Sequence, residues 1–151
     1  MKVRDTPPRA DPLLRTLAEF RFELRRFLHF SEGAALGAGL QPKQHQLLLQ
    51  VACAPEGVMV TIAYAAERLG LKHNSAVELV NRLEREGLLT RTEDTTDKRR
   101  AILRVTRKGD LILRRLASDH ARELNELAPS LASALEHIKM HARNSVGSEA
   151  R

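Results

Sequence analysis

The chain has 151 residues, 42% of them apolar and 29% charged, the balance of a folded domain with one core and room for helical extensions. Its 25 Lys and Arg against 19 Asp and Glu leave a net charge of +6, which favours acidic partners, nucleic acid first and an anionic membrane second. No apolar run approaches the roughly 20 residues that cross a bilayer. No apolar segment follows the basic start as a secretory signal requires, and the single cysteine, Cys53, cannot form an internal disulfide and fits a cytoplasmic setting.

Residues 1–11 read as a flexible arm, because Pro7 and Pro8 disfavour helix there. Asp11 followed by Pro12 is a helix start, an N-cap with proline at the first helical position. Leu13, Leu17, Phe20, Leu24 and Phe27 then recur at helical spacing along one face. Phe22 sits off that stripe, so this helix needs more than one packing partner. The stretch "GAALGAGL" (33–40) predicts a break. A second helix is expected over 42–52, and a third through "TIAYAAERLG", with Thr61 as N-cap and Gly70 as stop. A fourth covers about 74–86, ends at Gly87, and turns Ala76, Leu79, Val80 and Leu83 inward.

The runs "LLTRT" and "AILRV", joined by "EDTTDKRR", predict a β-hairpin with a polar, extended tip. Helix resumes over 109–127 with Leu113, Leu116, Leu124 and Leu127 on one stripe. Pro129 is expected to start a separate last helix carrying Leu131, Leu135 and Ile138, and residues 144–151 to fray. The fold class is mostly α with a small β-hairpin: a winged helix-turn-helix at 40–107, flanked by helical regions 12–39 and 108–143. The flanking stripes cannot all be buried on so small a centre, which predicts a homodimer joined through them.

In these elements the chain resembles the MarR family of bacterial transcriptional regulators. The resemblance runs through residues 38–110 and rests on "GLQPKQHQLLL", "AAERLGL", "NSAVELVNRLEREGLL" and "DTTDKRRAILRVTRKG", in that order. The last includes the Asp-x-Arg pair Asp97 and Arg99 and the closing Thr106 and Gly109. The sequence departs from the family at Ala65, where Leu is frequent, and at Val77 and Glu78, where a Ser-Arg pair is common. The resemblance implies a repressor that binds a near-palindromic operator. It further implies release by a small apolar or phenolic effector, with Phe22, Phe27, Phe30, His45 and His120 as pocket candidates that serve equally well as core. No cofactor is expected.

The chemistry of the two contacts follows from charge. Duplex phosphates attract a tip bearing Lys98, Arg99 and Arg100, and the narrow minor groove, where the potential is most negative, accepts an arginine. Family resemblance favours Arg99 for that insertion, with Asp97 accepting its hydrogen bonds; the competing view is an exposed ion pair worth ~0–1 kcal/mol. The reading helix brings its first turns to base edges. Asn74 can bond adenine and Glu78 can accept from cytosine, whereas Lys72, His73 and Arg82 suit phosphate; Ser75 and Val77 complete the set. Asn74 or Ser75 can instead serve as caps.

His137 and His141 lie four apart on a helix, a metal-ligating geometry that no Cys or carboxylate completes, so no metal is expected. His120 on its stripe reads as a half-buried, hydrogen-bonded interface residue. Cys53 reads as a small buried apolar residue, against a redox-sensing alternative, since no Lys or Arg lies near it in sequence. No catalytic motif is present. The competing class is a winged-helix protein-interaction module indifferent to DNA.

Overall fold

The computed structural model describes residues 11–148 and runs α1 (Pro12–Gly37), α2 (Pro42–Ala52), α3 (Ile62–Leu69), α4 (His73–Arg85), β1 (Leu89–Glu93), β2 (Ala101–Val105) and α5 (Arg107–Ser148). The arm expected at residues 1–10 lies outside the described residues. The mostly helical fold with one antiparallel hairpin agrees with the class read from the sequence. Two compact units are present, residues 31–121 and residues 11–30 with 122–148.

The 31–121 unit holds the winged helix-turn-helix. Its core gathers Ala35 and Leu40, Leu47, Leu48 and Val51 of α2, Ala65 of α3, Val80 and Leu83 of α4, Leu88 and Leu89, Leu103 of β2, and Leu113 and Leu116. Each fully buried leucine contributes about 1.5–3 kcal/mol relative to exposure. Ala65, where family members often carry Leu, is completely buried. The helix-turn-helix is set by local signals. Thr61 caps α3 by accepting the Tyr64 N–H (3.2 Å). Gly70 ends α3 at φ 62°, a left-handed conformation that lets the Leu71 N–H return to the Ala66 carbonyl (2.8 Å). Gly87 repeats the device after α4 and turns the chain into β1. The hairpin pairs Leu89 with Val105 and Arg91 with Leu103, and the Leu103 N–H bonds the Val60 carbonyl on the far side of β2 (2.8 Å).

The wing is tied back at its root. Thr106 Oγ1 donates to the Gly87 carbonyl (2.7 Å) and accepts the Gly109 N–H (3.2 Å), joining the end of α4 to the start of α5. Gly109 is buried there, and a Cβ on it would stand 2.5 Å from the Leu88 carbonyl oxygen and 2.7 Å from Val105 Cγ1.

In the unit of 11–30 with 122–148, Asp11 caps α1 by accepting the Leu13 N–H (2.9 Å). Leu127 and Ala134 are buried, while Leu14, Leu17, Phe22, Leu24, Leu28, Leu124, Leu135 and Met140 are exposed.

Four expectations are corrected. The break predicted at 33–40 begins only after Gly37: α1 continues through "GAALG" because the ~1 kcal/mol penalty per helical glycine is small beside burying Ala35 and, just beyond, Leu40. Pro129 does not start a new helix but lies inside α5; the apolar spacing continues across it, and one lost N–H is tolerated in a 42-residue helix. Residues 144–148, expected to fray, are helical, with no proline in that stretch to stop α5. Cys53 is exposed, because it is the C-cap residue of α2 and has left the helix face that carries Leu47, Leu48 and Val51 inward.

Candidate nucleic-acid interface

Helix α4, the expected reading helix, presents an open N-terminus. Its N-cap is Lys72, which makes no side-chain cap, so Asn74 and Ser75 are not used as caps. The first helical hydrogen bond runs from the Ala76 N–H to the Lys72 carbonyl (3.1 Å). The N–H groups of the first turn therefore face outward with the positive end of the helix dipole, where anions are favoured. Lys72, His73, Asn74, Ser75, Glu78 and Arg82 are exposed and Val77 half-buried. Ala76, Val80 and Leu83 anchor the opposite face in the core.

The wing tip, residues 94–100, is shaped by its two aspartates. Asp94 Oδ1 accepts the Thr96 N–H (3.0 Å) and hydroxyl (2.9 Å), bonds that hold its carboxyl below the usual range. Asp97 Oδ1 accepts the Arg99 N–H (3.0 Å), and the Asp94 N–H closes the tip onto the Arg100 carbonyl (3.0 Å). The side-chain pairing differs from the one the resemblance implies: Asp97 meets the Arg100 guanidinium at 3.5 Å and holds Arg99 by its backbone. The i, i+3 offset puts Arg100 back over Asp97. Lys98 and Arg99 stand exposed beside it, their cationic ends without partners among the described residues.

These two sets converge. His73 of α4 and Arg99 and Arg100 of the wing line one cleft of about 410 Å³, floored by Met59, Ile62 and Ala101. Sequence reasoning missed these apolar residues and a brace behind them. Arg91 of β1 donates through Nη2 to Asn81 Oδ1 (2.6 Å) and Glu84 Oε2 (2.6 Å) of α4, and through Nε to the same Glu84 oxygen (3.1 Å). The bonds from Arg91 hold the Glu84 carboxyl below its ordinary range. A signal for this brace was present. Arg91 shares the strand face of buried Leu89, a register in which an arginine must find acceptors. At the other end of the same turn, Gln44 Nε2 donates to both Glu86 carboxylate oxygens (3.2 and 3.0 Å) and Lys108 Nζ to the Glu86 carbonyl (2.9 Å).

The five effector candidates divide between the two units. Phe22 is exposed and Phe27 and Phe30 are half-buried in the unit of 11–30 with 122–148. His45 and His120 meet in the other, with ring centroids 5.1 Å apart. The cavities of about 840, 410 and 210 Å³ are lined by residues other than these five. His120 is half-buried and hydrogen-bonded: Nδ1 lies 2.6 Å from the Leu116 carbonyl oxygen and Nε2 2.7 Å from Ser31 Oγ. A carbonyl only accepts, so neutral His120 carries its proton on Nδ1 and takes the Ser31 hydroxyl proton at Nε2. Among the described residues no group of three His, Cys, Asp or Glu is placed to hold a metal ion, and no helix is long and apolar enough to cross a membrane.

Burial first, and the neighbouring His120 second, lower the pKa of His45 below the ordinary 6.5. The unfolded chain therefore binds this proton more readily, so the contribution of His45 is complete above about pH 6.5 and is lost as pH falls below it. Thermal midpoints measured from about pH 7.5 to about pH 5.5 should decline less in His45→Gln than in the wild type. Parallel declines would show that His45 is not the group responsible.

Comparison with known proteins agrees with this architecture. The MarR family model matches residues 38–100. The "Putative transcriptional regulatory protein for hcr operon" of Thauera aromatica is 29% identical over 121 residues, 77% of this chain and 71% of that protein. The S. aureus MepR–DNA complex aligns with a TM-score of 0.65 at 21% identity, over 85% of this chain and 94% of that one. CouR from Rhodococcus jostii RHA1, bound to p-coumaroyl-CoA, aligns with a TM-score of 0.66 at 20% identity, over 91% and 95% of the two chains. With the four motifs in order and the winged helix-turn-helix in place, the chain is similar to the MarR family over residues 38–100 and shares the fold of the MarR-type winged-helix proteins.

Proposed function

We propose that the protein is a homodimeric, sequence-specific double-stranded-DNA-binding regulator, acting as a repressor released by a small apolar or phenolic effector. The observation that carries this reading is the shared cleft, where the open N-terminus of α4 at His73 and the wing cations Arg99 and Arg100 converge. In this reading α4 enters the major groove, with Asn74, Ser75, Val77 and Glu78 toward base edges and Lys72, His73 and Arg82 toward phosphate. The wing follows the backbone with Lys98 and Arg100 and places Arg99 in the minor groove, on a tip shaped by Asp97. The MepR complex supports a DNA partner, and CouR, bound to p-coumaroyl-CoA, supports a small-molecule ligand, each by likeness of fold.

Fluorescence anisotropy at several salt concentrations tests the interface, using random duplex and a duplex selected from a random pool by the wild-type protein. Arg99→Ala should weaken binding to every sequence and reduce the salt slope by about 0.9, the value of one phosphate contact. Unchanged affinity would remove Arg99 from the interface. Absence of any duplex binding by the wild type would favour a protein-interaction module.

A further inference from the structure

We infer that Arg91 is a positioning residue for base discrimination: it fixes the rotational setting of the reading helix against the wing without itself touching DNA. The inference rests on the reading of α4 and the wing as the two DNA-contacting elements. Asn81 and Glu84 lie three residues apart on the flank of α4 that turns toward β1, and the guanidinium of Arg91 bridges them with contacts of 2.6, 2.6 and 3.1 Å. A fork that holds two acceptors on one helical flank resists rotation about the helix axis as well as separation. That rotation matters because side-chain tips stand about 5–6 Å from the axis, so a turn of about 20° displaces them by about 2 Å. Such a displacement breaks a hydrogen bond to a base edge but leaves a phosphate within reach of a flexible Lys or Arg.

The placement of Arg91 separates this role from direct contact. Its side chain is only 29% exposed, and its Nη2 and Nε donors are committed to Asn81 and Glu84. The register that pairs Arg91 with buried Leu103 sets it on the core face of the hairpin, behind the tip that carries Lys98 and Arg99. The brace leaves only Nη1 uncommitted, and the salt slope reports whether that nitrogen reaches phosphate. The other clamp on α4, Gln44 on Glu86, holds the C-terminal cap and is joined to α2. Arg91 alone links the recognition helix to the wing through side-chain hydrogen bonds among the described residues, and so sets the register between a major-groove and a minor-groove contact.

The test measures the ratio of affinities for the selected duplex and random duplex, with salt slopes for both. Arg91→Ala should lower that ratio roughly tenfold, the order of one good base contact, while random-duplex affinity and its salt slope stay at wild-type values. Arg91→Lys should not restore the ratio, because one ammonium cannot reproduce the planar fork. If Arg91→Ala does not fold, Asn81→Ala, which removes one acceptor, should lower the ratio in the same direction. A ratio within about twofold of wild type in a folded variant overturns the inference. So does a salt slope reduced by about 0.9, which would make Arg91 a phosphate contact. A wild-type protein that does not distinguish the two duplexes overturns the DNA-reading interface itself, and this inference with it.

Discussion

A Leu17→Lys, Leu24→Lys double variant should sediment as a single chain of 16.9 kDa and lose roughly 10²–10⁴-fold in affinity for a palindromic operator. The two leucines are 37% and 40% exposed in the single chain and lie seven residues apart on one face of α1, beside exposed Leu14 and Leu28. An apolar face of this kind on a single chain marks an association surface. Because neither side chain is buried in the single chain, lysine there should change folding stability by only about 0.5 kcal/mol. Any large loss of operator binding then reports association. The size of the loss follows from bivalency: once one α4 is seated, its partner is held at high effective concentration over the second half-site. Random-duplex affinity per chain should survive. A variant that keeps twice the chain mass would remove this face from the interface, and a monomer with undiminished operator affinity would remove the need for a pair.

Gly109→Ala should lower stability by about 2–3 kcal/mol, which for a chain of this length lowers Tm by roughly 8 °C. Alanine ordinarily stabilises a helix relative to glycine by ~1 kcal/mol, so the predicted sign is opposite to the one propensity gives. The cause is steric. The added methyl would stand 2.5 Å from the Leu88 carbonyl oxygen and 2.7 Å from Val105 Cγ1, and the first of these is backbone. Relief requires moving the start of α5 away from the wing, which strains the Thr106 bonds to Gly87 and Gly109. The same shift disturbs the wing root, so DNA affinity should fall with stability. Calorimetry showing an unchanged or raised Tm would mean that the root opens at little cost.

The helix-turn-helix was legible because its boundaries are written locally. Pro42, Thr61, Gly70 and Gly87 start or stop helices through capping and left-handed turns that involve only near neighbours. The hairpin was legible from its alternation and polar tip. The errors fell where distant packing overrides local preference. Gly33 and Gly37 did not end α1, since Ala35 and Leu40 are core residues, and Pro129 did not divide α5. Cys53 was misread because its composition is apolar while its position is a helix end. In the wing, the acid and the cations were visible, but which cation Asp97 meets depends on the turn that places Arg100 over it. The Arg91 brace lay within reach of pattern reasoning, because a charged residue in an inward strand register calls for a partner on a neighbouring element.

The exposed residues of α4 carry a consequence for how a protein of this proposed function changes over time. His73, Asn74, Ser75, Glu78 and Arg82 make no side-chain hydrogen bond or ion pair with the rest of the described residues, while Ala76, Val80 and Leu83 hold the helix in place. Substitutions at the first group should leave the folded state almost untouched, so on the proposed reading of α4 mutation can retune operator preference there without passing through unstable ancestors. Duplicated copies of this gene would be expected to diverge first at those five positions, and last at the three beneath them.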